Sequence, residues 1–145
     1  MSDQEQGRIV VGVDGSSPSG QALRWALRQA ESTGGYVSAV WAWQMPGAYG
    51  TVVTVVPGEE LAEAARLSLD TVLAEAGIDA SGVRVDRRVV EGHPARVLLD
   101  EAENAELLVL GSRGHGGIVG SLIGSVSQYC VNHASCPVVV VRDRD

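Results

Sequence analysis

The residues best suited to chemistry in this sequence form a glycine-rich loop near its C-terminal end. An apolar run at 107–110 leads into glycines at positions 111, 114, 116, 117 and 120, and residues 124–127 then read Gly-Ser-Val-Ser. Glycines let backbone N–H groups approach a phosphate closely, and the first turn of a helix offers unpaired N–H donors at the positive end of its dipole. A strand, a glycine loop and a helix N-terminus in this order predict an anion-binding site.

Two other phosphate-binding motifs do not fit this loop. A P-loop requires lysine after its last glycine, and this chain contains no lysine. A dinucleotide fingerprint follows the first strand of its fold, whereas the first strand here leads into Val13-Asp14-Gly15-Ser16. The observed spacing is instead G-x2-G-x9-G-[ST], which runs through Gly111, Gly114 and Gly124.

Each polar candidate near this loop has a plainer structural explanation beside the functional one. Asp14 could contact a ligand or could only stabilise a turn, as short acidic side chains often do. Ser125 and Ser127 could hold phosphate or could only cap a helix. Arg113 could pair with a phosphate or point into solvent, and His115 could lie beside the ligand without acting as a general base.

Alternating hydrophobic segments indicate which elements must position these residues. Near-continuous aliphatic runs, typical of buried strands, predict strands at 8–13, 36–43, 83–90, 107–110 and 138–141. Apolar residues at helical spacing, with proline or acidic residues near the starts, predict helices at 17–32, 59–76, 92–102 and 124–133.

Strands that alternate with helices predict an α/β fold with a mainly parallel sheet. We expect a single doubly wound, Rossmann-like five-stranded sheet in the order 3-2-1-4-5, with helices on both faces. In that order the first and fourth strands are neighbours whose connections leave in opposite directions, which creates a crevice beyond their C-terminal ends. Asp14 and Gly111 then both lie at the crevice.

Composition restricts the class of protein. A chain of 145 residues suits one domain, here 1–145, with polar tails at 1–7 and 142–145. The net charge of −7 argues against binding nucleic acid or an acidic membrane surface. The sequence shows neither a signal-peptide pattern nor an apolar run long enough to cross a membrane, so we expect a cytoplasmic protein.

Three further segments carry expectations. Cys130 and Cys136 lack metal-site or disulfide spacing, so both are expected to be buried free thiols. The stretch 44–58, broken by proline and glycine, is expected to be a long functional or mobile loop. The aliphatic run Val138–Val141 would be an adhesive edge if exposed, so we expect a second subunit to cover it.

Four segments together resemble the universal stress protein family over nearly the whole chain. They are the opening 9–16, Gly92-His93-Pro94-Ala95, the glycine motif, and the final Cys-Pro-Val-Val-Val-Val. The resemblance is to the ATP-binding branch, which keeps the glycine motif, and it implies the sheet order above and a homodimer joined through the last strand. Glu106 stands where the family more often has Asp, and Trp41 where His is common.

The resemblance also implies roles for individual residues. Asp14 would contact ribose hydroxyls or, indirectly, a metal near the phosphates; the end of the second strand would meet adenine through its backbone; and the glycine motif would surround ribose and phosphates. The implied ligand-binding residues are Gly12, Val13, Asp14, Val40, Ala42, Gly111, Ser112, Arg113, Gly114, His115, Gly116, Gly124, Ser125, Val126 and Ser127.

The function implied is that of a homodimeric, ATP-binding stress-response regulator that acts on an unknown regulatory protein partner. Mg²⁺ or Mn²⁺ is the ion that could accompany the ATP. Phosphoryl-transfer catalysis needs a positioned nucleophile and metal-supported charge neutralisation, and one aspartate without lysine offers little of either. We therefore expect little or no turnover and no catalytic residue. The alternatives are a slow ATPase or phosphotransferase, a binder of AMP or cyclic AMP, and a scaffold whose nucleotide is purely structural.

Overall fold

The computed structural model describes residues 7–45, 57–113 and 124–142. Ten elements follow one another along these segments, and strands and helices alternate except where one short helix intervenes. In chain order they are β1 (Arg8–Gly12), α1 (Ser17–Thr33), β2 (Tyr36–Trp43), α2 (Gly58–Glu75), α3 (Ile78–Ser81), β3 (Val85–Glu91), α4 (Pro94–Glu101), β4 (Leu107–Gly111), α5 (Ser125–His133) and β5 (Val138–Val141).

The five strands form one sheet in the order β3-β2-β1-β4-β5, and every neighbouring pair is parallel. This arrangement confirms the predicted fold class. The central strands β1 and β4 are buried along most of their length, as their continuous aliphatic sequences predict. Because β1 leads to β2 on one side and β4 leads to β5 on the other, the chain reverses its winding direction between β1 and β4.

Helices cover both faces of the sheet, and each face has its own apolar core. On one face, Leu23 and Leu27 of α1 and Leu69 and Leu73 of α2 pack against β1 and β2. On the other face, Leu98 of α4 and Cys130 of α5 belong to a second cluster. The two helical layers leave the carboxyl ends of β1 and β4 as the part of the sheet at which a ligand site can form.

The start of α1 explains why the chain turns sharply after β1. Ser16 is the N-cap, and its hydroxyl oxygen accepts a hydrogen bond from the Ser19 N–H at 3.3 Å. Pro18 lies in the first turn, where its missing N–H and fixed φ are tolerated. The turn therefore holds Asp14 directly beyond the end of β1.

The structure differs from the sequence-based expectation between α2 and β3. The second helix was expected to span 59–76; α2 ends at Glu75, and Gly77 is then the N-cap of the four-residue helix α3, which Gly82 ends. Both glycines have positive φ, 80° and 72°, a conformation that side chains disfavour. β3 consequently begins at Val85 rather than at 83.

Parts of the predicted loop and tails lie outside the described residues: 46–56 of the stretch 44–58, and 1–6 and 143–145 at the ends. Within the described segments, every helix is too short or too polar to cross a membrane.

Candidate functional site

A cavity of about 270 Å³ opens at the carboxyl ends of β1 and β4, where the chain reverses its winding direction. Of the fifteen residues implied by the resemblance, eleven line it. They are Gly12, Val13, Asp14, Val40, Ala42, Gly111, Arg113, Gly124, Ser125, Val126 and Ser127. The structure therefore brings these eleven residues together on one contiguous surface.

Among the described residues of the implied set, Ser112 is the one that does not line the cavity. Ser112 is buried with 4% of its area exposed; its N–H donates to the Val141 carbonyl at 2.8 Å and its carbonyl accepts from the Gly124 N–H. Ser112 therefore closes the base of the glycine loop and joins it to β5. Gly114, His115 and Gly116 lie outside the described residues.

The backbone of β2 presents a donor and an acceptor to the cavity. The last backbone hydrogen bond between the β1 segment and β2 runs from the Val13 N–H to the Val40 carbonyl at 2.9 Å. Successive residues of a strand direct their N–H and C=O groups to opposite neighbours, so Ala42 faces the same side as Val40. The register with β1 stops at Gly12↔Val40, so β1 has no strand residue opposite Ala42, whose peptide groups face the cavity.

Asp14 combines a structural contact with a position at the cavity. Its Oδ1 accepts a hydrogen bond from the Ser16 N–H at 2.9 Å, and its own N–H donates to the Ser19 hydroxyl at 3.2 Å. The first bond is the turn that short acidic side chains form two residues ahead of themselves. The turn explanation is thus correct, and Asp14 also lines the cavity.

Close packing at the cavity requires glycine at 111 and favours it at 12. A Cβ on Gly111 would lie 2.6 Å from the Pro18 carbonyl carbon, which real structures do not allow. A Cβ on Gly12 would lie 3.0 Å from methyl carbons of both Leu98 and Leu110. Gly111 therefore allows α1 to approach β4, and Gly12 allows two leucines to reach the cavity floor.

The N-terminus of α5 supplies a second group of backbone donors to the cavity. Gly124 is the N-cap with φ −69° and ψ 164°, and no side chain caps the helix among the described residues. The first internal bond runs from the Gln128 N–H to the Gly124 carbonyl, so the N–H groups of Ser125, Val126 and Ser127 lie in the turn that has no internal acceptors. The Ser127 hydroxyl donates to the Gly111 carbonyl at 2.6 Å, which leaves its N–H as its available donor.

Arg113 is the one arginine among the described residues that line the cavity, and it forms no ion pair with any described carboxylate. The described part of the chain contains no group of three or more His, Cys, Asp or Glu side chains arranged to hold a metal ion. A divalent ion at this site would need oxygen ligands from a bound molecule in addition to Asp14.

Four cavity residues were missed by sequence reasoning: Ser19, Pro94, Leu98 and Leu110. Leu98 and Leu110 belong to the apolar core pattern, which cannot distinguish a side chain under a cavity from one under other side chains. Pro94 was recognised only as the start of a helix, where His93 is the N-cap and its Nδ1 accepts from the Ala95 N–H.

Comparison with known proteins relates this arrangement to one family. A family model described as the universal stress protein family matches residues 6–142. A universal stress protein of Mycolicibacterium smegmatis is 38% identical over 137 residues, which are 94% of this chain and 46% of that protein. Universal stress protein Rv2623 of Mycobacterium tuberculosis is 37% identical over 147 residues, covering 99% of this chain and 48% of that protein. The chain spans about half the length of the curated relatives it matches.

A solved structure gives the comparison in three dimensions. A universal stress protein crystallised in complex with cAMP has a TM-score of 0.68 and 26% identity, and the match covers 92% of this chain and 95% of that one.

Proposed function

The chain belongs to the universal stress protein family, and we propose that its cavity binds an adenine nucleotide, with ATP as the preferred ligand. The observation that carries the proposal is the pairing of an apolar floor with a helix N-terminus in one cavity. Leu98, Leu110 and Val126 suit the faces of a base, and the first turn of α5 suits phosphate. The cAMP bound to the solved relative supports this class of ligand.

Recognition of adenine would come from the backbone of β2. Adenine presents an acceptor, N1, beside a donor, the N6 amino group, and Ala42 offers an N–H and a C=O facing the cavity. Guanine presents the opposite pattern at the same edge, with a donor at N1 and an acceptor at O6. A guanine base would therefore leave buried polar groups unpaired, which costs about 1–3 kcal/mol for each group.

The phosphates would lie against the first turn of α5, with Arg113 as the charged partner. Asp14 would contact the ribose or a Mg²⁺ or Mn²⁺ ion held largely by phosphate oxygens. Such ions commonly bind through one or two carboxylates together with substrate phosphates, so a single aspartate is compatible with this arrangement.

The biological role we propose is regulatory: a homodimer, joined through Val138–Val141, whose nucleotide occupancy changes a surface recognised by a protein partner. β5 is an edge strand in the described sheet, and edge strands expose backbone groups that pair readily with another strand. A cytoplasmic location fits this role.

The direct test is a calorimetric comparison of ATP, GTP, AMP and cAMP on the wild-type protein with Mg²⁺ present. We expect ATP to bind at least about tenfold more tightly than GTP, since guanine mismatches the Ala42 backbone. If AMP or cAMP binds as tightly as ATP, the cavity is still an adenine-nucleotide site, but ATP is not its preferred ligand. Equal affinity for ATP and GTP would contradict the adenine assignment.

Hydrolysis is the competing function. Asp14 is the one carboxylate among the described residues that line the cavity, and the chain has no lysine. We therefore expect turnover close to the uncatalysed background. A phosphate-release rate far above background that Asp14→Asn abolishes would show that the protein is an ATPase or phosphotransferase and not only a binding protein.

A further inference from the structure

A second groove, of about 580 Å³, lies between α1 and β5, away from the cavity proposed to bind nucleotide. One wall is the side of α1 that carries Gln21, Arg24, Trp25 and Arg28, and the rest is β5 with the following Arg142. The three arginines are exposed, whereas Trp25 is half-buried against the core. The described residues that line this groove are all different from those that line the nucleotide cavity.

The charge of this groove is opposite to that of the whole chain. The protein carries a net charge of −7, yet every charged side chain among the described residues of the groove is an arginine. Four other arginines form ion pairs with carboxylates, whereas Arg24, Arg28 and Arg142 form none within the described segments. The groove therefore presents three positive charges to a ligand.

The spacing of two of these arginines is unfavourable in the absence of an anion. Arg24 and Arg28 are four residues apart on α1, so their side chains lie on the same side of the helix, about 6 Å apart along its axis. Like charges at this spacing destabilise a helix. A bound anion would remove that cost, and the planar guanidinium group suits phosphate, whose oxygens it can bind in pairs.

Pairing of two β5 edges in the proposed homodimer would bring a second copy of this groove beside the first. β4 bonds to β5 through the Pro137 and Val141 carbonyls, so Val138 and Val140 direct their backbone groups to the open edge. A two-fold axis that pairs two such edges in antiparallel fashion continues the sheet and keeps both α1 helices on one face. The arginines of one protomer would then face those of its partner across a single channel.

The channel between the two α1 helices would be about as wide as one helix. α1 packs over β1 and β4, and neighbouring strands lie about 4.8 Å apart, so the two α1 axes would lie roughly 19 Å apart. A helix is about 10 Å in diameter, which leaves roughly 9 Å between them. Val139 and Val141 pack on the α1 side of the sheet and would form the floor of the channel.

We propose that this channel binds a chain of linked phosphates, held by Arg24, Arg28 and Arg142 of both protomers. The inference rests on the homodimer of the proposed function, because each protomer supplies half of the site. It does not depend on nucleotide binding, because the described residues of the two sites do not overlap.

Charge density favours linked phosphates over an acidic peptide. The four residues of β5 span about 13 Å, and three arginines from each protomer would lie along this length. An extended peptide directs every second side chain to one face, so it places one carboxylate about every 6.8 Å and about two in the channel. Each linked phosphate carries a negative charge and is separated from the next by one oxygen atom, so a phosphate chain compensates more of the arginines.

Binding of the phosphate chain should strengthen the dimer. The β5 edges supply the pairing, and an anion between the two arginine sets adds to it by compensating the like charges that meet there. A ligand that binds the dimer better than the monomer shifts the equilibrium toward the dimer by mass action. Added NaCl should weaken this effect, because it screens the attraction between arginine and phosphate.

The test is calorimetric titration of sodium tripolyphosphate into the dimer without Mg²⁺. We expect one tripolyphosphate for every two chains, whereas binding in the nucleotide cavity would give one for each chain. Arg24→Gln with Arg28→Gln should weaken binding at least about tenfold. Arg96→Gln is the matched control, because Arg96 is an exposed arginine on α4, on the opposite face of the sheet. The full chain is used, so that the carboxylates in 143–145 are retained.

Sedimentation separates this proposal from the homodimer proposal. Saturating tripolyphosphate should lower the dissociation constant of the wild-type dimer about tenfold and should leave that of the double arginine variant unchanged. A stable dimer that binds no tripolyphosphate would overturn this proposal and leave the homodimer intact. A chain that stays monomeric with and without tripolyphosphate would overturn both.

Two further probes define the ligand. GTP carries linked phosphates on a nucleoside: equal binding at one per dimer would show that phosphates alone are recognised, and tighter binding would identify a nucleotide as the source. A blocked tetraglutamate peptide should bind at least about tenfold more weakly than tripolyphosphate, because its charges are farther apart. Tetraglutamate binding as tightly as tripolyphosphate, one tripolyphosphate for each chain, or loss of its binding in Arg113→Gln would each overturn the proposal.

Discussion

Asp14 shows how one side chain can satisfy both a structural and a ligand-binding explanation. Its Oδ1 stabilises the turn through the Ser16 N–H, and the residue also lines the cavity. Sequence reasoning treated these as alternatives because a sequence does not show which oxygen of a carboxylate is used. The structure makes them compatible.

Asp14→Asn separates the two contributions. Asparagine retains an oxygen that can accept from the Ser16 N–H, so the free energy of unfolding should change by less than about 0.5 kcal/mol. Loss of the negative charge should weaken the binding of ATP in the presence of Mg²⁺. The ATP affinities measured with and without Mg²⁺ should therefore differ less than they do in the wild type. Asp14→Ala serves as the comparison, since it removes both the turn contact and the charge. If Asp14→Asn binds ATP as tightly as the wild type, the carboxylate does not contact the ligand.

Cys130 illustrates a residue whose chemistry is suppressed by its surroundings. It is a free cysteine on the buried face of α5, in the core between the helices α4 and α5 and the sheet, and this burial raises the pKa of its thiol from 9.0 to about 11. The expectation of a buried thiol is confirmed here, whereas Cys136 is half-buried.

The raised pKa of Cys130 predicts a pH dependence of stability. Because the thiol ionises more easily in the unfolded chain, its stabilising effect is complete below about pH 9 and is lost as the pH rises toward 11. Urea unfolding should therefore show a fall in stability of roughly 2 kcal/mol or less across this range. Cys130→Ala should flatten that part of the curve; an identical fall in the variant would assign it to other groups.

At the scale of elements, the sequence was informative wherever burial and chain direction determine structure. Aliphatic runs located all five strands, and the alternation of strands with helices determined the parallel topology and the crevice at β1 and β4. The boundaries of β3 and the helix α3 were missed, because Gly77 and Gly82 fit a helix stop and a short helical turn equally well. Leu98 and Leu110 were missed as site residues, since their role depends on the cavity that Gly12 allows above them.

Close packing between α1 and β4 gives the glycine motif a second function. The first glycine of the motif, Gly111, lies against Pro18 rather than only beside a ligand. Gly111→Ala should destabilise the fold by about 1–3 kcal/mol through overpacking, observed as a lower melting temperature without nucleotide. Gly20→Ala provides a control in α1, where an added Cβ would contact only the end of Arg24. A Gly111→Ala variant as stable as the wild type would contradict the packing described here.

At the scale of the whole molecule, the order of the strands in the sheet determines where the cavity forms. The cavity lies at the centre of the sheet, where the chain reverses its winding direction between β1 and β4. The family membership and fold are established, while the single-domain boundary at 1–145, the homodimer and the cytoplasmic location stay predictions.

The central claim is that the first turn of α5 holds the phosphates of an adenine nucleotide, and Ser125→Pro tests it most directly. Gly124 has φ −69° and ψ 164°, a conformation that a following proline accepts, and proline is favoured at the first position of a helix. The variant therefore removes one N–H donor from the cavity and should leave α5 intact. Ser125→Ala, which keeps that N–H and removes only the hydroxyl, is its matched control.

The measurement is calorimetric titration of ATP with Mg²⁺ into the wild type and these two variants. Losing a hydrogen bond to a charged phosphate costs about 1.5–3 kcal/mol, so Ser125→Pro should bind ATP roughly tenfold to a hundredfold more weakly. Ser125→Ala should remain much closer to the wild type, and both variants should melt near the wild-type temperature. If Ser125→Pro is folded and binds ATP as tightly as the wild type, the phosphates do not lie at α5 and the account is wrong.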